Sequence, residues 1–303
     1  MRVLVTGPSG HLGSALLPEL LTAGHEVVGL ARSDASAEAV TRLGAEVVRG
    51  DLDDLGGLRK AAATADAVAH LAFKPLAGGD FAGAIASDLA AVTAIGEALA
   101  GSGKPFVGTT ATMMCALAGV SGRPATEEDA FPGGPRIDAE NAVIALADHN
   151  VRSAIVRLAP LVHSTLDRTG FTRALIGIAR AKGLSAYIGD GSNRWPAVHT
   201  RDAARLYRLA LEKAPAGSRL HAAGDDGIAF RDIAEAIGRH LNVPVQPISA
   251  EDAPAHFTYL APYVGVDNPV STAITRRSLG WEPAHPSWIE DLDQGHYFAP
   301  QTA

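Results

Sequence analysis

The 303-residue sequence predicts an α/β fold: a doubly wound parallel sheet followed by a smaller C-terminal lobe. Three observations lead there. Short β-type runs alternate with Ala- and Leu-rich helical patterns through the first half, the signature of βαβ units and a parallel sheet. A glycine triplet follows the first apolar run and opens the first helix. Beyond Ala159 the alternation loosens, and the tail from Phe230 offers one amphipathic helix and then many prolines.

Strands are expected at 3–6, 26–30, 46–49, 67–71, 105–108 and 154–158, with helices near 11–23, 35–43, 55–63, 81–100 and 138–150. Gly24 and Gly44 stand where a helix should stop, and Ser33 or Asp34 suits the cap of the second helix. Residues 119–135 are rich in Gly, Pro and acids and read as an ordered excursion from the sheet. A helix at 171–182, a Gly/Asn/Trp/Pro loop at 189–196, a helix at 201–213, a strand at 219–222 and a helix at 230–241 complete the pattern.

Apolar residues make up 47% and charged residues 19%, which fits a packed globular chain. The net charge of −7 argues against a nucleic-acid partner, since phosphate-backbone binding leaves a basic footprint. Cys115 is the single cysteine, so no internal disulfide is expected. No Cys/His spacing suggests a metal site. The first strand begins at once with no signal peptide ahead of it, and no apolar run reads as a membrane span. A cytoplasmic protein without a membrane partner is the expectation.

The run Thr6-Gly7-Pro8-Ser9-Gly10-His11-Leu12-Gly13 carries the first chemistry. Gly7 permits the tight turn, Gly10 lets the backbone approach a pyrophosphate, and Gly13 lets helix and strand pack closely. The helix start then offers free N–H groups and a positive dipole end to an anion. A dinucleotide is the implied ligand, on a Rossmann-type domain of residues 1–165 completed by about 195–224. Residues 166–194 and 225–303 would form the smaller, substrate-binding lobe.

This run resembles the extended short-chain dehydrogenase/reductases, also called the NAD(P)-dependent epimerase/dehydratase family. Further matches follow in the family's order: Gly50-Asp51-Leu52, His70-Leu71-Ala72, Val198-His199-Thr200-Arg201-Asp202-Ala203-Ala204 and Leu279-Gly280-Trp281-Glu282-Pro283. The resemblance implies that Asp51 and Leu52 lie against the adenine and Ala72 along the ribose–phosphate path. Ser9, His11, Leu12, Lys74, Thr109, Pro160 and Val162 join the implied cofactor-binding set.

The end of the second strand bears on the form of the cofactor. A carboxylate there would bind the ribose 2′-hydroxyl of NAD and repel a 2′-phosphate. The sequence reads Gly29-Leu30-Ala31-Arg32-Ser33, with Ala31 in the acid's place. A guanidinium at Arg32 and a hydroxyl at Ser33 suit a phosphate, so NADP(H) is expected over NAD. Asp34 close by weighs the other way.

In the family that this chain resembles, a Ser or Thr after the fifth strand works with a Tyr-x-x-x-Lys pair on the next helix. Thr110 and Thr112 are the hydroxyl candidates, unless they merely finish a strand. None of Tyr187, Tyr207, Tyr259, Tyr263 and Tyr297 has a lysine four residues on. Arg136 stands in the tyrosine's place and Glu140 in the lysine's, as a functional pair or as a plain ion pair across one helical turn. Arginine keeps its proton, so Arg136 suits an electrophilic clamp rather than an acid or base.

His163 is the candidate proton donor, because histidine titrates near neutral pH and the resemblance sets its loop beside the nicotinamide. Phe73 should border the same cleft. Asn193, Arg194 and Trp195 are expected to close over a substrate, while His199 and Asp202 anchor their segment. The reading is an NADPH-dependent oxidoreductase acting on a small carbonyl, imine or activated alkene. A non-catalytic NADP(H) sensor or scaffold, and an epimerase or dehydratase with tightly held cofactor, are the alternatives. The resemblance also implies a homodimer through the helices at 81–100 and 138–150.

Overall fold

The computed structural model describes residues 1–74 and 80–299. Four βα units open the chain: β1 (Arg2–Thr6) and α1 (Gly13–Thr22), β2 (Glu26–Ala31) and α2 (Asp34–Arg42), β3 (Glu46–Arg49) and α3 (Leu55–Thr64), β4 (Ala67–His70) and α4 (Phe81–Leu99). Then come β5 (Pro105–Ala111), α5 (Met113–Leu117), α6 (Ile137–Ala145) and β6 (Arg152–Leu158). The chain leaves the sheet through β7 (Leu161–His163), α7 (Phe171–Lys182), β8 (Ser185–Ile188), β9 (Arg194–His199) and α8 (Thr200–Lys213), and returns with β10 (Ser218–Ala222). The tail contributes β11 (Asp225–Ala229), α9 (Phe230–Leu241), β12 (Val245–Ile248), α10 (Ala253–Phe257), α11 (Ala261–Val264), α12 (Ala273–Leu279) and α13 (Trp288–Asp293).

The main sheet has seven strands in the order β10-β6-β5-β4-β1-β2-β3. Every pairing in it is parallel. Helices cover both faces, so its central strands are apolar throughout rather than alternating. Val3, Val5, Val107, Ala154 and Val156 face α1 and α8, while Leu4, Val68, Phe106 and Ile155 face α4 and α6. The chain winds outward in opposite directions from β1 and β4. That change of direction opens a crevice at the strands' carboxyl ends, the place where such sheets bind ligands.

By length and mean hydropathy of 1.3, α4 would suit a bilayer crossing, which the sequence reading did not anticipate. Its environment is a protein core: Ala84, Asp88, Ala91, Val92 and Ile95 are buried, and the helix packs on α3 and α6. The alanines that suggested a dimer surface thus already serve close packing within one chain.

The lobe holds a three-stranded sheet, β11-β9-β7, and a two-stranded one, β12-β8. Its core gathers Trp195, Phe230, Ile233, Leu161, Leu175 and Trp288. One correction follows: the presumed loop at 189–196 becomes strand β9 from Arg194 onward, while α8 packs on the main sheet and β10 joins its edge. The short strands β7, β8, β11 and β12 escaped the sequence reading because they are specified by distant partners, not by local periodicity.

A buried charge cluster ties the 119–135 excursion to the sheet. Arg157, 1% exposed, donates to Glu140 at 2.5 and 3.0 Å and to the Asp129 carbonyl at 2.7 Å. Arg219 donates to the same carboxylate at 2.8 Å. His221 completes the cluster, with Nε2 3.3 Å from Arg157 Nη1 and Nδ1 2.9 Å from the Ser271 carbonyl. Arginine can only donate, so Nε2 accepts and Nδ1 carries the proton. Burial first, and Arg157 second, lower the His221 pKa to about 4 from its ordinary 6.5. The unfolded chain therefore takes this proton first. Stability should be complete above about pH 6.5 and fall toward pH 4, by something on the order of 3 kcal/mol from this group. Urea denaturation at pH 7 and pH 4.5 should show the loss, and His221→Asn should flatten it.

Candidate active site

A cleft of about 290 Å³ lies at the carboxyl ends of the central strands, floored by Gly7, Pro8, Ser9 and Gly10. Two glycines there are dictated by space. Gly7 has φ +67°, and a Cβ on it would press 3.0 Å from the Ala72 backbone. A Cβ on Gly13 would stand 2.2 Å from the Gly7 carbonyl oxygen, so only glycine lets α1 start so close to β1. The start of α1 has no side-chain cap and no acid in its first turn. Its N–H groups and dipole are left for an anion. Leu12 is buried in the core, and His11 points away, Nε2 2.7 Å from Thr200 Oγ1.

Arg32 lies exposed on the cleft wall near Ser36, with Asp51 and Leu52 also on the lining. Ser33 is occupied elsewhere: it caps α2 through a reciprocal pair of bonds with Ser36, so Ser36 rather than Ser33 faces the cleft. Asp34 is not in the lining either, and its carboxylate pairs with Arg49 at the end of β3. Across the cleft, Lys74 is held by Asp53 at 2.7 Å, and Ser87 donates to the same Asp53 carboxylate. These contacts hold Asp53 below the usual carboxylate range, the lysine bond contributing most.

Beneath the cleft runs a buried polar chain. Thr6 Oγ1 accepts from the Leu71 and Ala72 amides at 3.2 Å and donates to His70 Nδ1 at 2.8 Å. His70 Nε2 thus keeps its proton and donates it to Asp88 at 3.2 Å. Asp88 in turn lies 3.6 Å from Arg136. Arg136 Nη2 donates to the Thr109 carbonyl at 2.6 Å. Thr109 Oγ1 donates to the His70 carbonyl at 2.7 Å, so it accepts from the Tyr207 hydroxyl at the same distance. Burial raises the Tyr207 phenol pKa far out of the neutral range.

Arg136 begins α6 in the left-handed region, φ +62°, a conformation costing a residue with a Cβ about 1 kcal/mol. The contacts around its guanidinium hold it there. Its guanidinium lies 4.1 Å from the centroid of Phe73, a cleft residue, so its charge borders the cleft across an aromatic face. The expected Arg136–Glu140 pair does not form: Asp88 takes Arg136, and Glu140 is spent on Arg157 and Arg219. Arg136, at the left-handed start of α6, and Glu140, one turn into it, are engaged by different partners.

Other expected residues lie apart. Thr110 is buried with no hydrogen-bond partner among the described residues, and Thr112 accepts from Asn268 at 3.0 Å. His163 is 1% exposed under the C-terminal tail, where Nδ1 meets Asp291 at 2.9 Å. It is shut off from the solvent that a proton donor must exchange with, and neither it, Pro160 nor Val162 lines the cleft.

The supposed substrate lid is a seam. Trp195 is fully buried against Phe171 and Phe230. Asn193 donates to the Val264 carbonyl, and Arg194 pairs with Asp267 at 2.9 Å. His199 and Asp202 do anchor their segment: Asp202 accepts from the Ala284 and His285 amides, and the His199 and His285 rings stack at 4.5 Å. Those three side chains lie within 4.8 Å of one another, a grouping the sequence spacing hid. Parallel stacked rings aim their lone pairs along separate planes, which suits a clamp better than a shared ion. Asp88, Tyr207 and Ser36 were likewise missed. Of these only Asp88 left a trace, as a lone acid within an apolar helix.

Fold and cleft together define an α/β protein of the Rossmann type. The chain belongs to the NAD dependent epimerase/dehydratase family, whose model matches residues 3–223. It is 42% identical to an uncharacterised protein of Schizosaccharomyces pombe over 98% of this chain and 100% of that one. It is 33% identical to a 2-alkyl-3-oxoalkanoate reductase of Stenotrophomonas maltophilia over 72% of this chain and 67% of that one. Its fold matches a crystal structure of a dTDP-glucose 4,6-dehydratase from Streptomyces venezuelae with bound NAD, at TM-score 0.77 and 20% identity over 98% and 97% of the two chains.

Removing the carboxylate at the middle of the polar chain strands two buried partners at once. Asp88→Ala should therefore cost about 3–5 kcal/mol in urea denaturation, as breaking a buried pair does. An unchanged midpoint would show that the chain contributes nothing to the fold.

Proposed function

We propose that this protein is an NADP(H)-dependent oxidoreductase acting on a small carbonyl, imine or activated alkene. The observation that carries the reading is the wall of the cleft beyond β2. Arg32 and Ser36 line it, Arg32 makes no ion pair among the described residues, and the first acid after the strand, Asp34, is paired with Arg49. A guanidinium without a carboxylate suits a 2′-phosphate and gains little from a bare ribose. The glycine floor and the uncapped start of α1 fit the diphosphate.

A bound nicotinamide supplies or accepts the hydride. The protein's task is then to position and polarise. Arg136, permanently charged and held by Asp88 and the Thr109 carbonyl, sets a fixed positive field behind Phe73 that favours charge developing on a substrate oxygen or nitrogen. It cannot give up a proton, and Tyr207 and His163 are enclosed, so the proton comes from water. The related 2-alkyl-3-oxoalkanoate reductase supports a ketone as the kind of group reduced.

One observation favours a second reading. Arg136 is already engaged by protein partners, which suits an NADP(H)-binding sensor that performs no turnover.

Calorimetry with NADP⁺ and NAD⁺ tests the cofactor half. NADP⁺ should bind more tightly, and Arg32→Ala should weaken it by about 10- to 100-fold while leaving NAD⁺ nearly unchanged. Equal affinities would end the NADP(H) reading. Loss of NADPH absorbance across a panel of ketones, imines and enones then separates reductase from sensor, and product formation without net NADPH loss would mark an isomerase or dehydratase.

A further inference from the structure

We infer that the outer face of α7 carries a second ligand site, apart from the dinucleotide cleft, that takes a small organic anion with a flat apolar body. The groove there has a volume of about 680 Å³ and is walled by Arg168, Arg173, Arg180, Tyr259, Tyr297 and Phe298, with no carboxylate among the described residues that line it. Arg173 and Arg180 are seven residues apart, two helical turns on one face. Gly177 lies between them, and a Cβ there would meet nothing within 4 Å, so the floor between the two charges is open.

Single exposed arginines such as Arg42, Arg201 and Arg277 also lack an ion pair among the described residues, but here three guanidiniums converge on one aromatic-walled groove. Arg2, Arg59, Arg123, Arg194 and Arg276 each hold a carboxylate. Arg173 is instead pinned by neutral oxygens, donating to the Asp167 carbonyl at 3.0 Å and the Tyr297 carbonyl at 2.9 Å, with its guanidinium 4.5 Å from the Tyr297 ring centroid. Arg168 and Arg180 make no ion pair or side-chain hydrogen bond among the described residues, in a chain of net charge −7. Three guanidiniums with no counter-charge among the described residues are set up for phosphate, sulfonate or carboxylate. A bare anion would leave most of the volume empty. Tyr259, 52% exposed, and Phe298 supply apolar surface for the rest of the ligand.

The floor is also rigid. Tyr297 is buried, donates to Asp167 at 3.1 Å and accepts from the Ser164 amide at the same distance, and Asp167 lies 3.8 Å from His11 of the glycine loop.

Phenyl phosphate is the probe, titrated calorimetrically into the full chain with NADP⁺ present. Binding of one molecule per chain is expected, with phenol and inorganic phosphate each at least about tenfold weaker. R168A/R180A should weaken phenyl phosphate about tenfold or more while its melting temperature and NADP⁺ affinity stay at wild-type values. Arg32→Ala should leave phenyl phosphate binding unchanged, which separates this site from the cleft. Absence of heat at millimolar phenyl phosphate, equal affinity in R168A/R180A, or phenol binding as tightly as phenyl phosphate would each overturn the proposal.

Discussion

The chain of buried donors and acceptors from Thr6 to Tyr207 is the constraint on which the rest of the site depends. It joins the ends of β1, β4 and β5 to α4, α6 and α8, all at the level where the cleft opens. Each proton in it has one place to go. Thr6 uses both acceptor positions on backbone amides, so its own proton must go to His70; that fixes the imidazole tautomer, and the tautomer fixes the bond to Asp88. In a low-dielectric layer such a network is stiff, because any broken link leaves a polar group with no water to turn to. The cleft is therefore shaped before any ligand arrives.

Two arginines that look alike in the sequence serve different ends for this reason. Arg157 is enclosed and shares Glu140 with Arg219, which joins the acidic excursion to the sheet edge. Arg136 is also largely enclosed, but it abuts Phe73 at the cleft and meets its carboxylate at a looser 3.6 Å. Asp88 and Glu140 thus distribute two buried positive charges between structure and site, although neither acid sits beside its arginine in sequence.

Much of the architecture was legible in the residues. The glycine triplet, the apolar runs of the first six strands and the helix over 230–241 all lie where periodicity set them, because parallel strands buried on both faces and amphipathic helices leave strong local patterns. The site was legible only in its backbone-driven part. Gly7, Arg32 and Ala72 line the cleft and Gly13 lets α1 start against β1, placements that strand ends and turns dictate. The side-chain roles given to His163, Thr112, Arg194 and Trp195 failed on direction and enclosure. Spacing along the chain says nothing about Asp291, Asn268 or Asp267 waiting more than 70 residues away. Helix spacing misled at Glu140 too, because a core partner outbid the neighbour on its own helix.

The return of β10 to the main sheet has a consequence for how the molecule forms. Its register partner β6 ends at Leu158, and some 60 residues of lobe are threaded between the two strands. A nascent chain that has reached residue 165 holds β6 as a bare edge, with its outward N–H and C=O groups ready to pair with whatever strand is nearest. The Rossmann unit cannot finish ahead of the lobe, and closing so long a loop is entropically slow. The two halves are bound to fold as one event, and cutting the gene at the apparent boundary would give a sticky fragment rather than a free-standing domain.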